Sequence, residues 1–489
     1  MKRLKLVTSL IIGFVVCSSL GLSLLFSLPE SSVATSSDFL LRNITIVNPA
    51  LSKEMVPYLS VSNNQLVIGR TPHRKEFDQV QTGDKYDGMY VLPGLINMHS
   101  HSPSKNLLNL SPIFSLAAVM HGVTTWRDAI DADGTGVSAL REQIAEGTWP
   151  TPYVVSCAII TRGKTRWPNS NVIEHAKEVP LLVKGLKESG YDCIKSYENL
   201  NIDMIAQIKK SAKKYDMQVI GHVPEGFSIE QAWLPDTQHF FGVQTAHQHG
   251  VVNRNGNWES VDDIRLDQVA KHIVQRGMIN TPTLVTLRQL SEYEDYELSI
   301  KNELYKYIPS FYAKTVWHPQ KGLPVYRDLD AEMLSRAADA LSKKQKLLKK
   351  LHDQGATLNV GTDTQQPFVI PGISMWQEMR LFEQAGISAE DVWAHATWKS
   401  QGQLPGKKEG RLADGSEATF LIFSKDPTLT LKNLDSLKAV VLRGNLYEIE
   451  ELKQVMTQLQ SHYESWPVSF ISQFFVEREM ERIARKFTH

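Results

Sequence analysis

The strongest constraint on the fold is a repeat of short apolar segments, each followed by a stretch of helical periodicity, through the middle of the chain. Each segment is long enough for a buried strand and too short for a core helix. The segments lie near residues 93–99, 122–128, 153–159, 191–197, 217–222, 236–241, 279–284 and 357–363. Because strands that alternate with helices form parallel sheets, eight such units predict an α/β fold of the TIM, or (β/α)8, barrel type.

The regions on either side of this repeat have a different pattern. Residues 38–92 and 405–450 contain short runs of alternating apolar and polar residues, for example Leu40–Val47 and Ala418–Phe423. Such alternation is typical of antiparallel strands. Since these regions flank the barrel region, residues 93–404, we expect them to combine into one small β-sandwich domain.

Two further segments have no counterpart in a minimal barrel. The aromatic and charged residues 293–326, followed by a helix predicted over about 330–352, form a long insertion of the kind that often serves as a lid or substrate wall. Residues 451–489 are predicted to be a C-terminal helical extension. Its apolar stripe contains Phe470, Ile471, Phe474, Phe475 and Ile483. We expect this stripe to pack onto the body of the protein, and a membrane-facing or partner-binding helix is the alternative.

The N-terminus carries a basic and apolar leader, residues 1–37. Three basic residues within the first five positions precede residues 6–28, none of which is charged. This run is longer than the ~20 residues that cross a bilayer as a helix, and longer than the apolar core of most cleaved signal peptides. Ser32-Val33-Ala34 nevertheless offers a cleavage site. We therefore expect an exported chain, either anchored in the membrane and facing outside the cytoplasm, or cleaved and secreted or periplasmic.

Charge and cysteine content narrow the partners. The 53 Lys and Arg residues balance 53 Asp and Glu residues. Nucleic-acid binding usually requires a basic surface, so we expect a small-molecule substrate and no nucleic acid. Beyond the leader only Cys157 and Cys193 remain, without the spacing of a zinc finger. The sequence predicts two buried thiols rather than a disulfide framework or a structural zinc site.

The first candidate site follows the first barrel strand, where His99 and His101 are separated by one residue. On a strand, positions i and i+2 point to the same face. Both imidazoles would therefore enter the barrel at its C-terminal mouth, where barrel enzymes keep their active sites. Two histidines in this arrangement can chelate one metal ion.

Residues of metal-binding type recur on later strands. Lys195 lies on the fourth strand, with Tyr197 on the same face as a candidate substrate contact or core residue. The fifth strand ends in His222, the sixth in His239, and the eighth in Asp363. Because the carboxyl ends of barrel strands meet at one mouth, we expect these side chains to converge. For the sixth strand, the nearby His247 and His249 are alternatives to His239.

In these motifs the chain resembles the amidohydrolase superfamily, in the branch of imidazolonepropionase-like and prolidase-like dipeptidases with a binuclear metal site. The resemblance extends over about residues 40–450. It is carried by Pro93–His101, His121–Asp128, Ile194-Lys195, Gly221–Pro224, Gly361–Asp363, Pro371-Gly372, Gly410–Ser416 and Asp426-Pro427.

The resemblance implies a role for each candidate ligand. His99 and His101 would bind the more buried of two divalent metal ions, and His222 and His239 the more exposed one. Lys195 would bridge them as a carbamate, and an uncarboxylated lysine paired with Asp363 is the alternative. Asp363 would bind the buried metal and transfer the proton. Zinc suits such imidazole and carboxylate ligands, and manganese, cobalt, nickel and iron remain open.

Four departures from the family pattern accompany this resemblance. They are Asn97 for the usual Asp, Gln238 for Glu, Ser374-Met375-Trp376 for a histidine-containing stretch, and Thr419 for Asp.

The function that the resemblance implies is hydrolysis of an amide, dipeptide or other C–N bond of a small molecule by a metal-bridging hydroxide. An ester, lactone or phosphotriester hydrolase and an inactive membrane-tethered binding scaffold are the alternatives.

Overall fold

A computed structural model provides the fold for residues 25–29, 38–69, 85–106, 108–165, 167–244, 251–406 and 410–487. The predicted leader, residues 1–37, therefore lies outside the described residues except for positions 25–29. Within the described part, no helix combines the length and the apolar character needed to cross a membrane.

The predicted parallel barrel is confirmed. Its strands hydrogen-bond in the order β12-β11-β10-β9-β7-β6-β5, and the short β8 pairs with β7. Their bounds are Leu95–Ser100 (β5), Val123–Asp128 (β6), Tyr153–Thr161 (β7), Asn171–Val172 (β8), Cys193–Ser196 (β9), Gln218–Gly221 (β10), Asp236–Gln238 (β11) and Ile279–Thr281 (β12). Four of these eight strands, β5, β6, β9 and β11, are fully buried, as expected for a barrel enclosed by helices.

The eighth barrel position is irregular, in contrast to the strand predicted at residues 357–363. Leu358 forms a parallel bridge to β12, and Val360 accepts a hydrogen bond from β5 at 2.9 Å. The amides of Thr362 and Asp363 then both donate to the carbonyl of His99, at 3.1 and 2.8 Å. Asp363 has a φ of 60°, so the chain turns sharply at this point and the ladder ends.

The second sheet combines the two flanking regions, as predicted. Its order is β15-β14-β13-β4-β1-β2-β3. The strands are Phe39–Asn48 (β1), Ser52–Ser62 (β2), Gln65–Ile68 (β3), Tyr90–Pro93 (β4), Phe420–Phe423 (β13), Leu437–Leu442 (β14) and Asn445–Glu448 (β15). Only Gly94 separates β4 from barrel strand β5. The composite sheet is therefore joined directly to the first strand that carries candidate ligands.

The helices that follow the early barrel strands cover the outside of the barrel. They are Ser111–Met120, Gly136–Glu146, Val179–Glu188, Ile202–Lys214, Val251–Gly256 and Asp263–Arg276, and the later ones are Ile373–Gln384, Ala389–Ala396 and Trp398–Gln401. Three of these helices begin at a polar cap, Asn201, Asp262 or Ser388. Asn201 Oδ1, for example, accepts a hydrogen bond from the amide of Met204 at 2.9 Å, which satisfies one of the free N–H groups of the first turn.

The prediction of two free thiols is wrong, because Cys157 and Cys193 form a disulfide. The two residues are 36 positions apart in sequence. In the barrel, however, they are direct partners on the neighbouring parallel strands β7 and β9, with their Cα atoms 4.3 Å apart. The pairing depends on the register between two strands, and the spacing of cysteines along the chain does not contain that information.

The long insertion between β12 and the eighth barrel position is helical. It contains Leu284–Leu290, Tyr296–Ser299, Ser310–Val316 and Ala331–Asp353, with short 3-10 turns at Ser291–Tyr293, Glu303–Tyr307 and Pro324–Tyr326. The last helix confirms the one predicted over about 330–352. Asp330 caps it by accepting a hydrogen bond from the amide of Met333 at 2.8 Å.

The C-terminal extension consists of two helices, Ile449–Glu464 and Trp466–Phe487. The prediction that the apolar stripe packs onto the body is confirmed for Ile471 and Ile483. It is wrong for Phe470, Phe474 and Phe475, which are 66%, 48% and 47% exposed. The face that packs onto the body instead contains Val468, Ser472, Val476 and Met480. These residues follow one another at i+4, and residues 470 and 474 lie on the opposite side of the same helix.

Candidate metal centre

All six predicted ligands meet in one cavity at the carboxyl end of the barrel strands. The cavity has a volume of about 620 Å3, and its lining includes His99, His101, Lys195, His222, His239 and Asp363. His99 and Lys195 lie on strands, and His222 and His239 come directly after the ends of β10 and β11. The shared strand direction of a parallel barrel therefore brings together residues that are up to 264 positions apart.

Asp363 lies at the centre of the histidines. Its Oδ1 atom is 2.6 Å from His101 Nε2 and 3.2 Å from His99 Nε2. Its Oδ2 atom is 3.9 Å from His239 Nε2. His99, His239 and Asp363 thus offer three ligand atoms within 4.8 Å of one another. The alternatives to His239, His247 and His249, lie outside the described residues.

The histidines are oriented through their second ring nitrogen. His99 Nδ1 is 2.6 Å from Gln238 Oε1, and His101 Nδ1 is 3.1 Å from the carbonyl of Ile130. Both oxygens only accept, so each Nδ1 carries a proton and each Nε2 is the atom that faces the cavity and Asp363. His239 Nδ1 is 2.6 Å from Thr283 Oγ1, a hydroxyl that can donate or accept, so this contact orients the ring without fixing which nitrogen carries the proton.

Gln238, one of the departures from the family pattern, belongs to a buried network. Its Nε2 donates to Asp236 Oδ1 at 2.6 Å, which leaves its oxygen for His99. Asp236 also pairs with Arg127 through a 2.5 Å contact to the guanidinium. The Asp236 carboxylate therefore sets the direction in which the Gln238 amide points, and the Arg127 guanidinium compensates its charge.

Asn97, a second departure, connects β5 to the eighth barrel position. Its Oδ1 accepts hydrogen bonds from the amides of His99 at 3.2 Å and Thr362 at 3.1 Å, and its Nδ2 donates to Thr362 Oγ1 at 2.8 Å. An amide provides the acceptor and the donor that these contacts require, whereas an ionised carboxylate only accepts. Trp376 and Thr419 are not among the described residues that line the cavity.

Lys195 and His222 have buried atoms that need partners. Lys195 Nζ and His222 Nδ1 form no hydrogen bond with any described residue. Burial, and to a lesser extent the Arg127 guanidinium, lower the pKa of Lys195 to about 7 against the opposing attraction of Asp363. A buried ammonium without a hydrogen-bond acceptor is costly. These side chains therefore fit a site for metal ions with a modified lysine.

The protonation states of three of the four histidines suit metal binding, whereas the pKa of His101, which burial alone would lower, is raised by its hydrogen bond to Asp363. Burial, followed by the positive charge of Lys195, lowers the pKa of His99 to about 4. The pKa values of His222 and His239 are lowered well below the usual range, mainly by burial. Neutral imidazole is the form that binds metals. Burial alone would raise the pKa of Asp363, but the neighbouring histidines hold it well below its usual value, so the carboxylate is ionised.

The backbone at the site is strained. His239, Phe240, Thr283 and Asp363 have φ values of 61°, 55°, 49° and 60°. Residues with a side chain rarely adopt this left-handed region, and each instance costs on the order of 1–3 kcal/mol. Lys344 supports the turn after β11, since its Nζ donates to the carbonyl of His239 at 2.9 Å. Strain held by the surrounding structure in this way is typical of functional sites.

Tyr197 lies in the wall of the cavity and is only 3% exposed, a position that fits both a substrate contact and a core residue. Its ring is 4.9 Å from the ring of His222, and its hydroxyl accepts a hydrogen bond from Trp167 Nε1 at 3.2 Å. Sequence reasoning had not identified Asp236, Thr283 or Lys344 as supports of the histidines. The sequence signal for Lys344 is its position on the apolar face of the helix predicted over about residues 330–352. No such signal points to Asp236 or Thr283.

The comparisons with known proteins agree with this geometry. The model of the amidohydrolase family matches residues 90–447. A structure of bottromycin amidohydrolase is 20% identical, with 90% of this chain and 92% of that chain covered and a TM-score of 0.64. A Xaa-Pro dipeptidase with bound methionine is 18% identical, with 84% and 100% covered and a TM-score of 0.59.

A third solved structure, the ochratoxinase of A. niger, is 14% identical, with 85% of this chain and 96% of that chain covered and a TM-score of 0.56. At such identities the likeness to solved structures demonstrates the fold. No curated protein matches the chain. The family model spans most of the chain and includes every candidate ligand. The chain therefore belongs to the amidohydrolase family, whose members are hydrolases that act on carbon–nitrogen bonds.

Proposed function

We propose that this protein hydrolyses an amide or other C–N bond of a small molecule at a centre of two divalent metal ions, most simply zinc. The observation that carries the proposal is the convergence of four imidazoles, one carboxylate and one lysine on a single cavity. Within that set, Lys195 Nζ and His222 Nδ1 are buried without hydrogen-bond partners among the described residues. Buried polar atoms of this kind usually have a partner.

The chain provides ligands for both ions. His99, His101 and Asp363 would hold the first, and His222 and His239 the second. Lys195 would connect them as a carbamate, which offers two anionic oxygens where an ammonium offers no lone pair. The low pKa of Lys195, about 7, supports this modification because the neutral amine is the form that reacts with carbon dioxide.

The remaining chemistry is assigned to the protein side chains. Divalent ions at this position supply a Lewis acid and a hydroxide nucleophile near neutral pH. Asp363, ionised and in contact with His99 and His101, accepts a proton at its carboxylate and delivers it to the leaving nitrogen. Tyr197 contacts the bound substrate from the cavity wall beside His222.

We further propose that the protein works outside the cytoplasm. The leader of residues 1–37 supports export, with or without retention in the membrane. The disulfide between Cys157 and Cys193 supports the same location, because disulfides persist mainly in oxidising compartments.

The proposal is tested by metal analysis and hydrolysis together. We expect about two metal ions per chain by elemental mass spectrometry after growth with zinc and bicarbonate, and release of amine from a panel of small amides. Lys195→Ala should lose metal and activity, and short carboxylic acids should restore part of both. The matched control is Lys209→Ala, because Lys209 is a partly buried lysine whose pKa is also lowered by burial, to about 8, and it is not among the described residues that line the cavity.

Each outcome discriminates between the candidate functions. Wild-type metal content in Lys195→Ala would contradict the bridging lysine. Metal binding without hydrolysis of amides, but with hydrolysis of esters, lactones or phosphotriesters, would favour the second class of hydrolase. A chain that binds metal only for stability and turns over none of these compounds would be a binding scaffold.

A further inference from the structure

We propose that the substrate of this site carries an extended apolar group, such as a hydrocarbon chain, and that the C-terminal helix Trp466–Phe487 forms the surface that binds it. This inference specifies the substrate class of the proposed hydrolase and therefore rests on the proposed function. Part of the cavity wall comes from this helix and not from the barrel.

That wall is built by the C-terminal helix. Phe475, Val476, Met480 and Ile483 line the same cavity as the six candidate ligands. Val476 and Met480 are only 8% and 7% exposed, so they belong to the buried face of the helix. Over more than two turns, four of the six described lining residues of this helix are therefore apolar, and the other two, Glu479 and Arg482, form an ion pair with each other.

The long insertion holds this helix over the barrel. The helix packs against Ser310–Val316 and the turn Pro324–Tyr326. Both insertion elements also line the cavity, through Tyr312, Val316 and Val325 among others. The insertion and the C-terminal helix together form a largely apolar wall of the cavity that also contains the candidate metal ligands.

Specific hydrogen bonds fasten the extension in place. Tyr463, in the preceding helix, donates from its hydroxyl to the carbonyls of Leu108 and Asn109, at 3.0 and 2.6 Å. Glu464 accepts a 2.6 Å hydrogen bond from the amide of Ser310 at the start of an insertion helix. Because these contacts join the extension to the cavity rim and to the insertion, the apolar wall is a built part of the site.

The lysine and arginine side chains among the described lining residues each have another role or partner. Among the described lining residues, only Lys195 and Arg482 are lysine or arginine. Lys195 is assigned to the metal centre, and Arg482 is paired with Glu479 on its own helix. An uncharged apolar group on the substrate requires neither of these charges.

The size of the cavity agrees with an extended ligand. Its volume of about 620 Å3 lies within the ~300–1,000 Å3 of pockets that enclose drug-sized molecules. An apolar chain that reaches from the metal ligands to the C-terminal helix would bury its surface against the apolar wall. Each methylene buried in this way strengthens binding by about fourfold.

The inference is tested by binding of neutral N-acyl methylamides, from acetyl to decanoyl, measured by calorimetry on the full exported chain. We expect Kd to fall by about fourfold for each added methylene until the cavity is filled. The heat capacity change of binding should become more negative along the series. A Kd that does not depend on chain length would overturn the inference.

Three variants locate the binding surface. Met480→Gln keeps the side-chain length and should weaken binding of the decanoyl compound by about tenfold. Phe475→Ala tests the same wall at a half-exposed position where folding is not at risk. The matched control is Phe474→Ala, since Phe474 is equally exposed but is not among the described lining residues. Equal losses in Phe475→Ala and Phe474→Ala would refute the assignment.

Hydrolysis of the same series separates this inference from the proposed function. Binding that depends on chain length, without release of methylamine, would refute the hydrolase and leave the apolar wall established. Conversely, hydrolysis of short charged dipeptides together with a Kd independent of chain length would support the hydrolase and overturn the apolar substrate class.

Discussion

Asp236→Asn is a substitution that removes one charge and almost no volume from the network beneath the ligands. Asp236 is 3% exposed and Arg127 is fully buried. The carboxylate accepts from Arg127 at 2.5 Å, Gln238 at 2.6 Å, Thr281 at 3.0 Å and Asn359 at 3.3 Å. An asparagine amide has one acceptor oxygen in place of two, so at least one of these donors would lose its partner.

The expected loss of unfolding free energy follows from the burial of Arg127. Removing one member of a buried ion pair leaves an uncompensated charge, which costs about 3–5 kcal/mol. That is a large part of the ~5–15 kcal/mol of unfolding free energy of a typical protein. The variant also frees the Gln238 amide, whose oxygen sets the orientation of His99. Loss of such a support typically weakens metal binding by about 10–100-fold.

The assay combines urea unfolding of the metal-free protein with metal titration of the folded protein. The matched control is Glu230→Gln, which removes the charge of a carboxylate that pairs with Arg265 at 2.6 Å but is 32% exposed in its side chain. Partly exposed pairs of this kind contribute about 0–1 kcal/mol. If Asp236→Asn lowered stability no more than Glu230→Gln and left metal affinity unchanged, the network would have no role in either.

Three further predictions concern the site and the barrel. Asp363→Asn should remove hydrolysis while at least one metal ion remains bound, and full activity in this variant would exclude the proton transfer assigned to it. Replacing Cys157 and Cys193 by serine should lower the unfolding free energy by about 3–4 kcal/mol, because a closed loop of this length restricts the unfolded chain; an unchanged urea midpoint would argue against a formed disulfide. Lys344→Met should weaken metal binding more than the control Lys343→Met, since only Lys344 supports the turn after β11; equal affinities would contradict that support.

Much of the fold could be predicted because it depends on local patterns. The short apolar segments indicated a parallel barrel, and strand direction alone then predicted that His99, Lys195, His222 and Asp363 would meet. The helix predicted over about residues 330–352 agrees with the observed Ala331–Asp353, because helical periodicity is a local property of the sequence. The local sequence determines where a residue lies within its strand or helix. It also determines at which end of the barrel that strand or helix stops.

What the tertiary structure decided were relations between elements. The disulfide needed the register of β7 against β9, and the orientation of His99 needed the contact between Gln238 and Asp236. The apolar stripe of the C-terminal helix was visible in the sequence, but its buried phase and its place in the cavity wall were not. A helical pattern specifies which residues share a face, whereas the surface that this face contacts depends on how distant segments pack.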